Sequence, residues 1–203
     1  MFGIERLFER QNIKNKAQEE SKLDADLVTL ALISSVLAAF GIQLGNEFVL
    51  IGAMLVSPLI DPIISVISFL HLGEWRKSMG ALARLIFVLF LSLLVALIAF
   101  LVFELVNFTP RVSYTPFVGV EYFFVALLLG LVGTLLWFWP NSSNTAAGLS
   151  MAISLVPPLA NISRGFALLD QSLIKESVFS TCINIVGLMV GAALVFWLKI
   201  NRD

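Results

Sequence analysis

Two short phrases hold the residues of this chain whose types and spacing could do chemistry. Met54 to Ile63 reads MLVSPLIDPI and Ser154 to Ile162 reads SLVPPLANI, one hundred positions apart. Aligned at Pro58 and Pro158, they share Leu-Val and Pro-Leu and then set Asp61 opposite Asn161. Proline removes a helix donor and clashes with the preceding turn, so both phrases are expected to break their helices and free backbone carbonyls. Ser57, Pro58, Asp61 and Pro62 in the first copy, and Pro157, Pro158 and Asn161 in the second, are therefore the candidate residues for binding an ion or substrate. A carboxylate beside a hydroxyl and freed carbonyls could hold a cation or a proton, and intramembrane acids are functional hypotheses by default. Counted from the start of its span, Asp61 is expected near mid-depth. It could equally cap the second half-helix by accepting from exposed amides. Asn161 cannot titrate, so the pair would oppose one chargeable group to one neutral hydrogen-bonding group. Asn184 and Thr181 could line the same cavity or act as helix–helix contacts.

The elements that must position these residues are membrane helices. Of 203 residues, 59% are hydrophobic and 13% charged, and the mean hydropathy is +0.95, more apolar surface than a soluble domain of this size could hide. A net charge of −1 argues against a nucleic-acid surface. His71 is the only histidine and Cys182 the only cysteine, so no zinc cluster, disulfide or other metal site is expected. Cys182 reads as a small core residue, and His71 as an interfacial residue beside a turn. No phosphate loop, nucleophile–base pair or metal-hydrolase helix is present in the sequence, so neither an enzyme nor a cofactor is expected.

Six apolar spans are expected, at about Leu27–Leu44, Glu47–Leu72, Ala81–Val106, Tyr122–Trp139, Ala146–Leu169 and Lys175–Leu198. The second and fifth carry the proline phrases. Gly73–Lys77 reads as an amphipathic turn, Asn107–Val120 as a loop with Pro110, Arg111 and Pro116, and Asn141–Thr145 as a helix-capping run. Residues 1–26 form a charged segment in which Phe2, Ile4, Leu7 and Phe8 suit one helix face. That helix would lie in the interface or dock on the protein's own cytoplasmic face.

If the broken segments only dipped in and returned, four spans would remain, so charge placement has to arbitrate. With six spans and the N-terminus inside, ten of the 13 Lys and Arg residues fall on the inner side, and Arg111, Arg164 and Lys175 on the outer. Four spans give eight against five, a weaker positive-inside bias. Six spans also bring Trp75, Trp137, Trp139 and Trp197 to the inner boundary and Glu47, Glu104, Glu121 and Glu176 to the outer rim. Each half then has an odd number of crossings, which makes the repeat inverted and turns both proline phrases toward one central site. The pairs Gly130/Gly133 and Gly187/Gly191 allow close helix approach, within one subunit or between two.

The segments IGAMLVSPLIDPI (Ile51 to Ile63) and GLSMAISLVPPLA (Gly148 to Ala160) resemble the two hallmark stretches of a prokaryotic membrane family, domain of unknown function 389. The resemblance extends over about Leu27 to Leu198. It implies a polytopic bacterial or archaeal membrane protein and no established activity. The family phrase often has glycine or another small residue where Asp61 stands.

The expected protein is thus all-α and polytopic, a 3+3 inverted repeat with two proline-broken helices. Its segments are an N-terminal part at 1–26, repeats at 27–106 and 121–198 joined by 107–120, and a tail at 199–203. Both termini would be cytoplasmic in a prokaryotic cell membrane. A secondary transporter or channel-like permease for an ion or small solute is the expected function, in a homo-oligomer, with a dimer favoured. The alternative is a non-transporting signalling or assembly protein that uses its charged N-terminal helix.

Overall fold

Helices account for nearly all of the residues described in the computed structural model, which are 10–108, 119–138 and 144–200. They are α1 (Arg10–Glu20), α2 (Ala25–Leu44), α3 (Glu47–Val56), α4 (Ile60–His71), α5 (Trp75–Leu105), α6 (Glu121–Phe138), α7 (Asn144–Leu168) and α8 (Gln171–Ile200). Expectations resting on Phe2, Ile4, Leu7, Phe8, Pro110, Arg111, Pro116, Trp139, the Asn141–Thr145 side chains, Lys199 and Arg202 lie outside the described residues and side chains.

Local chemistry sets most boundaries. Asp24 caps α2, accepting from Leu27 N at 2.9 Å, and Asn46 caps α3 through Phe48 N and Val49 N. Gly45 ends α2 at φ 59° and Gly73 turns the chain at φ 75°, conformations that cost glycine little. The expected amphipathic turn at Gly73–Lys77 is shorter, because Trp75 already begins α5.

Side-chain contacts fix the helix directions. α2 and α5 run the same way: Ser21 lies against Arg84, Phe40 against Phe103 at 4.8 Å between ring centroids, and Gln43 donates to the Phe108 carbonyl. α6 and α8 also run together, since Gly187 packs on Phe123, Gly191 on Leu127, and Phe138 on Phe196. The ends of α6 and α8 meet α1 and His71, through Trp137 and Phe196, at the end of the bundle where α2 and α5 begin. The two pairs therefore point in opposite senses. α3 forms a hairpin with α2 at the far end, where Ser34 Oγ donates to the Ala53 carbonyl at 2.8 Å. α4 pairs with α5 at the α1 end, where Ser78 Oγ donates to the Val66 carbonyl at 2.9 Å. Together α3 and α4 bring the chain back along the bundle.

Among the described residues, four helices (α2, α5, α6 and α8) are long and apolar enough to cross a membrane, or five spans if the α3–α4 pair, bent by 45°, counts as one. Their outward faces carry exposed Ile, Leu, Phe and Val, while Ser34, Ser35, Ser57, Ser92, Thr134, Asn161 and Asn184 are buried within. Polar groups inside and apolar groups outside is the distribution a bilayer demands.

Only one of the two expected breaks is present. Pro58 ends α3 and drives Ser57 to an extended ψ of 125°, as a residue before proline prefers. Pro62 falls in the first turn of α4, where its missing N–H costs nothing. By contrast α7 continues as helix through Pro157 and Pro158. Residues 155–165 are buried without interruption, and α7 packs against α2, α3, α4, α5, α6 and α8. That packing holds the helix together where local proline chemistry would open it.

α1 docks on the bundle, against α4, with Ile13 and Ala17 buried. The small residues of α6 and α8 serve packing within one chain. Cys182 is exposed on α8, a correction to its expected place in the core, because its stretch of α8 is apolar on the outward side as well.

Candidate functional site

The two phrases converge on one small cavity. Ser34, Ser35 and Ala38 of α2, Ser57 and Leu59 of the break, Ser92 and Ala96 of α5, and Val156, Leu159 and Ala160 of α7 line it. Its volume is about 10 Å³, room for roughly one water-sized particle. Ser34 donates to the Ala53 carbonyl and Ser35 to the Ala31 carbonyl at 2.7 Å, so both hydroxyl oxygens keep lone pairs to offer. Pro157 and Pro158 lack N–H groups, which deprives the carbonyls of Ile153 and Ser154 of their helix donors. The cavity thus carries four serines, Ser34, Ser35, Ser57 and Ser92, in an otherwise apolar wall, one helical turn from carbonyls that the two prolines leave without helix donors.

Asn161 follows the lining residue Ala160 directly. It is 0% exposed, and neither its Oδ1 nor its Nδ2 has a hydrogen-bond partner among the described residues. Leaving a buried amide unpaired costs about 1–3 kcal/mol, a cost that a purely structural position rarely carries. Two residues further on, Ser163 Oγ donates to the Leu93 carbonyl at 2.8 Å, which holds this part of α7 level with Ser92. Asn184 is buried in α8 and has a partner of its own.

Asp61 stands apart from this cavity. It is half-buried in the first turn of α4 and faces Lys16 and Glu20 of α1. Asp61 is thus placed by the docking of α1 along α4 rather than by the cavity. Nor does Asp61 cap α4: Leu59 occupies the N-cap position, with no side-chain cap.

Around Asp61 a second, charged cluster has formed. Trp137, expected as a boundary anchor, is instead 2% exposed. Its Nε1 donates to Glu20 Oε2, and Lys16 donates to its carbonyl while lying 4.5 Å from its ring centroid. Lys16 and Glu20 also pair at 3.7 Å. Burial, and then the Asp61 carboxylate, raise the Glu20 pKa to about 7 against the pull of Lys16 and Trp137.

Sequence reasoning found Ser57 and Asn161 but missed Ser34, Ser35, Ser92 and this cluster. Ser92 had a usable signal, being the only polar residue between Leu85 and Phe103. Glu20 had none, since its burial depends on how α1 docks. No group of three or more His, Cys, Asp or Glu residues suited to a metal occurs among the described residues.

Long helices with apolar exteriors, packed around a core that also buries serines, Asn161 and Asn184, define a multi-pass α-helical membrane protein. More specifically, the chain belongs to the DUF389 family, a domain of unknown function, whose profile matches residues 54–190 and so contains both phrases. The uncharacterised protein MJ0678 of the archaeon Methanocaldococcus jannaschii is 26% identical over 193 residues, covering 92% of this chain and 58% of the relative. The chain thus spans little more than half the length of that relative. No solved structure matches it.

Proposed function

We propose that the chain is a small secondary transporter or channel-like permease, with its site in the serine-lined cavity between the first break and the second proline phrase. The observation that carries this reading is Asn161, a fully buried amide with no hydrogen-bond partner among the described residues, next in sequence to Ala160 of a cavity lined from both copies of the phrase. In its present closed form the cavity suits an ion or water-sized species better than an organic solute. The hydroxyls of Ser57 and Ser92 and the spare carbonyls would replace part of an ion's hydration shell.

The opposed directions of the α2/α5 and α6/α8 pairs support six crossings in a 3+3 inverted arrangement, 27–106 against 121–198, with α3–α4 and α7 as the central spans. Arg10, Lys14, Lys16, Lys22, Arg76, Lys77 and Arg84 gather at the α1 end, which favours a cytoplasmic location for that end and both termini. A homo-oligomer, with a dimer favoured, would give so short a chain a gated path.

Purified protein in liposomes tests the reading. Monovalent cations, anions or protons should cross faster than in empty vesicles, and Asn161→Leu with Ser92→Ala should lower that flux about tenfold or more. Flux equal to that of empty vesicles for every ion defeats the transport reading, and an unaltered flux in Asp61→Asn removes the acid from it.

A further inference from the structure

The groove between α1 and the first turns of α5 is lined by Ser21, Lys22, Arg76, Lys77 and Arg84, and encloses about 720 Å³. Those four cations face one carboxylate on the groove wall, Glu19. Arg84 is fixed, its Nη1 donating to the Ser21 carbonyl at 2.7 Å and to Ser21 Oγ at 3.2 Å, which leaves other guanidinium donors toward the groove. Lys77 is held by Glu74 at 2.7 Å. Among the described residues Lys22 and Arg76 form no ion pair, and both are exposed. Two guanidinium forks and two ammonium groups around one concavity match a phosphate, whose oxygens accept from both.

Depth identifies the source of that phosphate. α5 has 31 residues, about 45 Å at 1.5 Å each, and so exceeds a hydrocarbon core of about 30 Å. Its basic residues occupy the first third, and the apolar run begins at Leu85. The groove therefore opens at headgroup level. Trp75 is 61% exposed and Met79 38% exposed on the same stretch, giving apolar surface beside the charges. We infer that this groove binds a phosphate group, supplied by the headgroup of an anionic phospholipid. The inference does not depend on what the central cavity carries.

Native mass spectrometry of the full chain in neutral detergent, titrated with phosphatidylglycerol, phosphatidylcholine or inorganic phosphate, tests it. Phosphatidylglycerol should be retained about tenfold more strongly than phosphatidylcholine. Lys22→Ala with Arg76→Ala should abolish the preference, and Lys175→Ala, at the opposite end, should leave it intact. Arg76→Glu, equally exposed, should repel the lipid and provides a second variant. If inorganic phosphate binds wild type and not the double variant while the lipids are not distinguished, the phosphate site stands and its ligand is soluble. Equal retention of both lipids with no phosphate binding, or a preference unchanged in the double variant, overturns the inference.

Discussion

At the residue scale, Glu20 and Asn161 are the two side chains whose environments ask the most of the fold. Glu20 has a folded pKa raised from the ordinary 4.5 to about 7, so it stabilises α1 docking fully below 4.5 and loses that contribution as pH rises through about 7. The groups that face it are Lys16 on its own helix, Asp61 of α4 and Trp137 of α6. The protection factors of the Ile13 and Ala17 amides, with base-catalysed intrinsic exchange divided out, should therefore fall between pH 5 and pH 8 by an amount corresponding to about 1–3 kcal/mol, and Glu20→Gln should flatten that fall. A wild-type protection factor that does not change with pH would mean that Glu20 is solvated. For Asn161 the prediction separates stability from function. Asn161→Leu removes two unpaired polar atoms and keeps a similar volume, so thermal stability in detergent should hold or rise while ion flux falls. Joint loss of stability and flux would make Asn161 structural. The sequence identified Asn161 through its match to Asp61, but it could not tell that the amide is unpaired, because pairing is a property of neighbours from other helices.

At the element scale, glycine decides how closely α6 and α8 approach. A Cβ at Gly191 would lie 2.2 Å from the Leu127 carbonyl oxygen and 2.8 Å from Leu131 N, backbone atoms that cannot swing aside. Gly191→Val should lower stability by about 1–3 kcal/mol or more, read as a lower thermal midpoint in detergent. Gly52, in α3, has nothing within 4 Å of an added Cβ, so Gly52→Ala should be neutral or stabilising by about 0.5–1 kcal/mol. If the two changes have equal effect, the close α6–α8 contact is absent from the protein in detergent. The proline phrases teach the complementary lesson. Pro58 breaks its helix and Pro157–Pro158 do not, although local propensity predicts two breaks. The difference is tertiary: residues 155–165 are buried among six neighbouring helices, which compensate for two missing donors.

At the scale of the whole molecule, the outcome to test is which end of the bundle faces the cytoplasm and how often the chain crosses. In a Cys182→Ser background, a cysteine at Arg76 should react with an impermeant reagent only from the cytoplasmic side, and one at Glu47 or Glu176 only from outside. Labelling of position 76 from outside would refute the six-crossing arrangement. The membrane class, the first proline break and the residues Ser57 and Leu59 beside it were legible because hydropathy and proline chemistry act within a few residues, whereas α5 begins at Trp75, six residues before the expected span. Ser34, Ser35 and Ser92 were less so, since a serine in an apolar span looks the same whether it faces a neighbour's backbone or a cavity.

The sequence by itself determined an α-helical membrane protein with a duplicated proline phrase, because composition and local sterics leave few other outcomes. Tertiary structure decided that one phrase bends and the other stays straight, that both meet at one cavity, and that Asp61 belongs to a charged cluster with α1 rather than to that cavity. Those results depend on which faces of distant helices come together, and no spacing within a single helix encodes them.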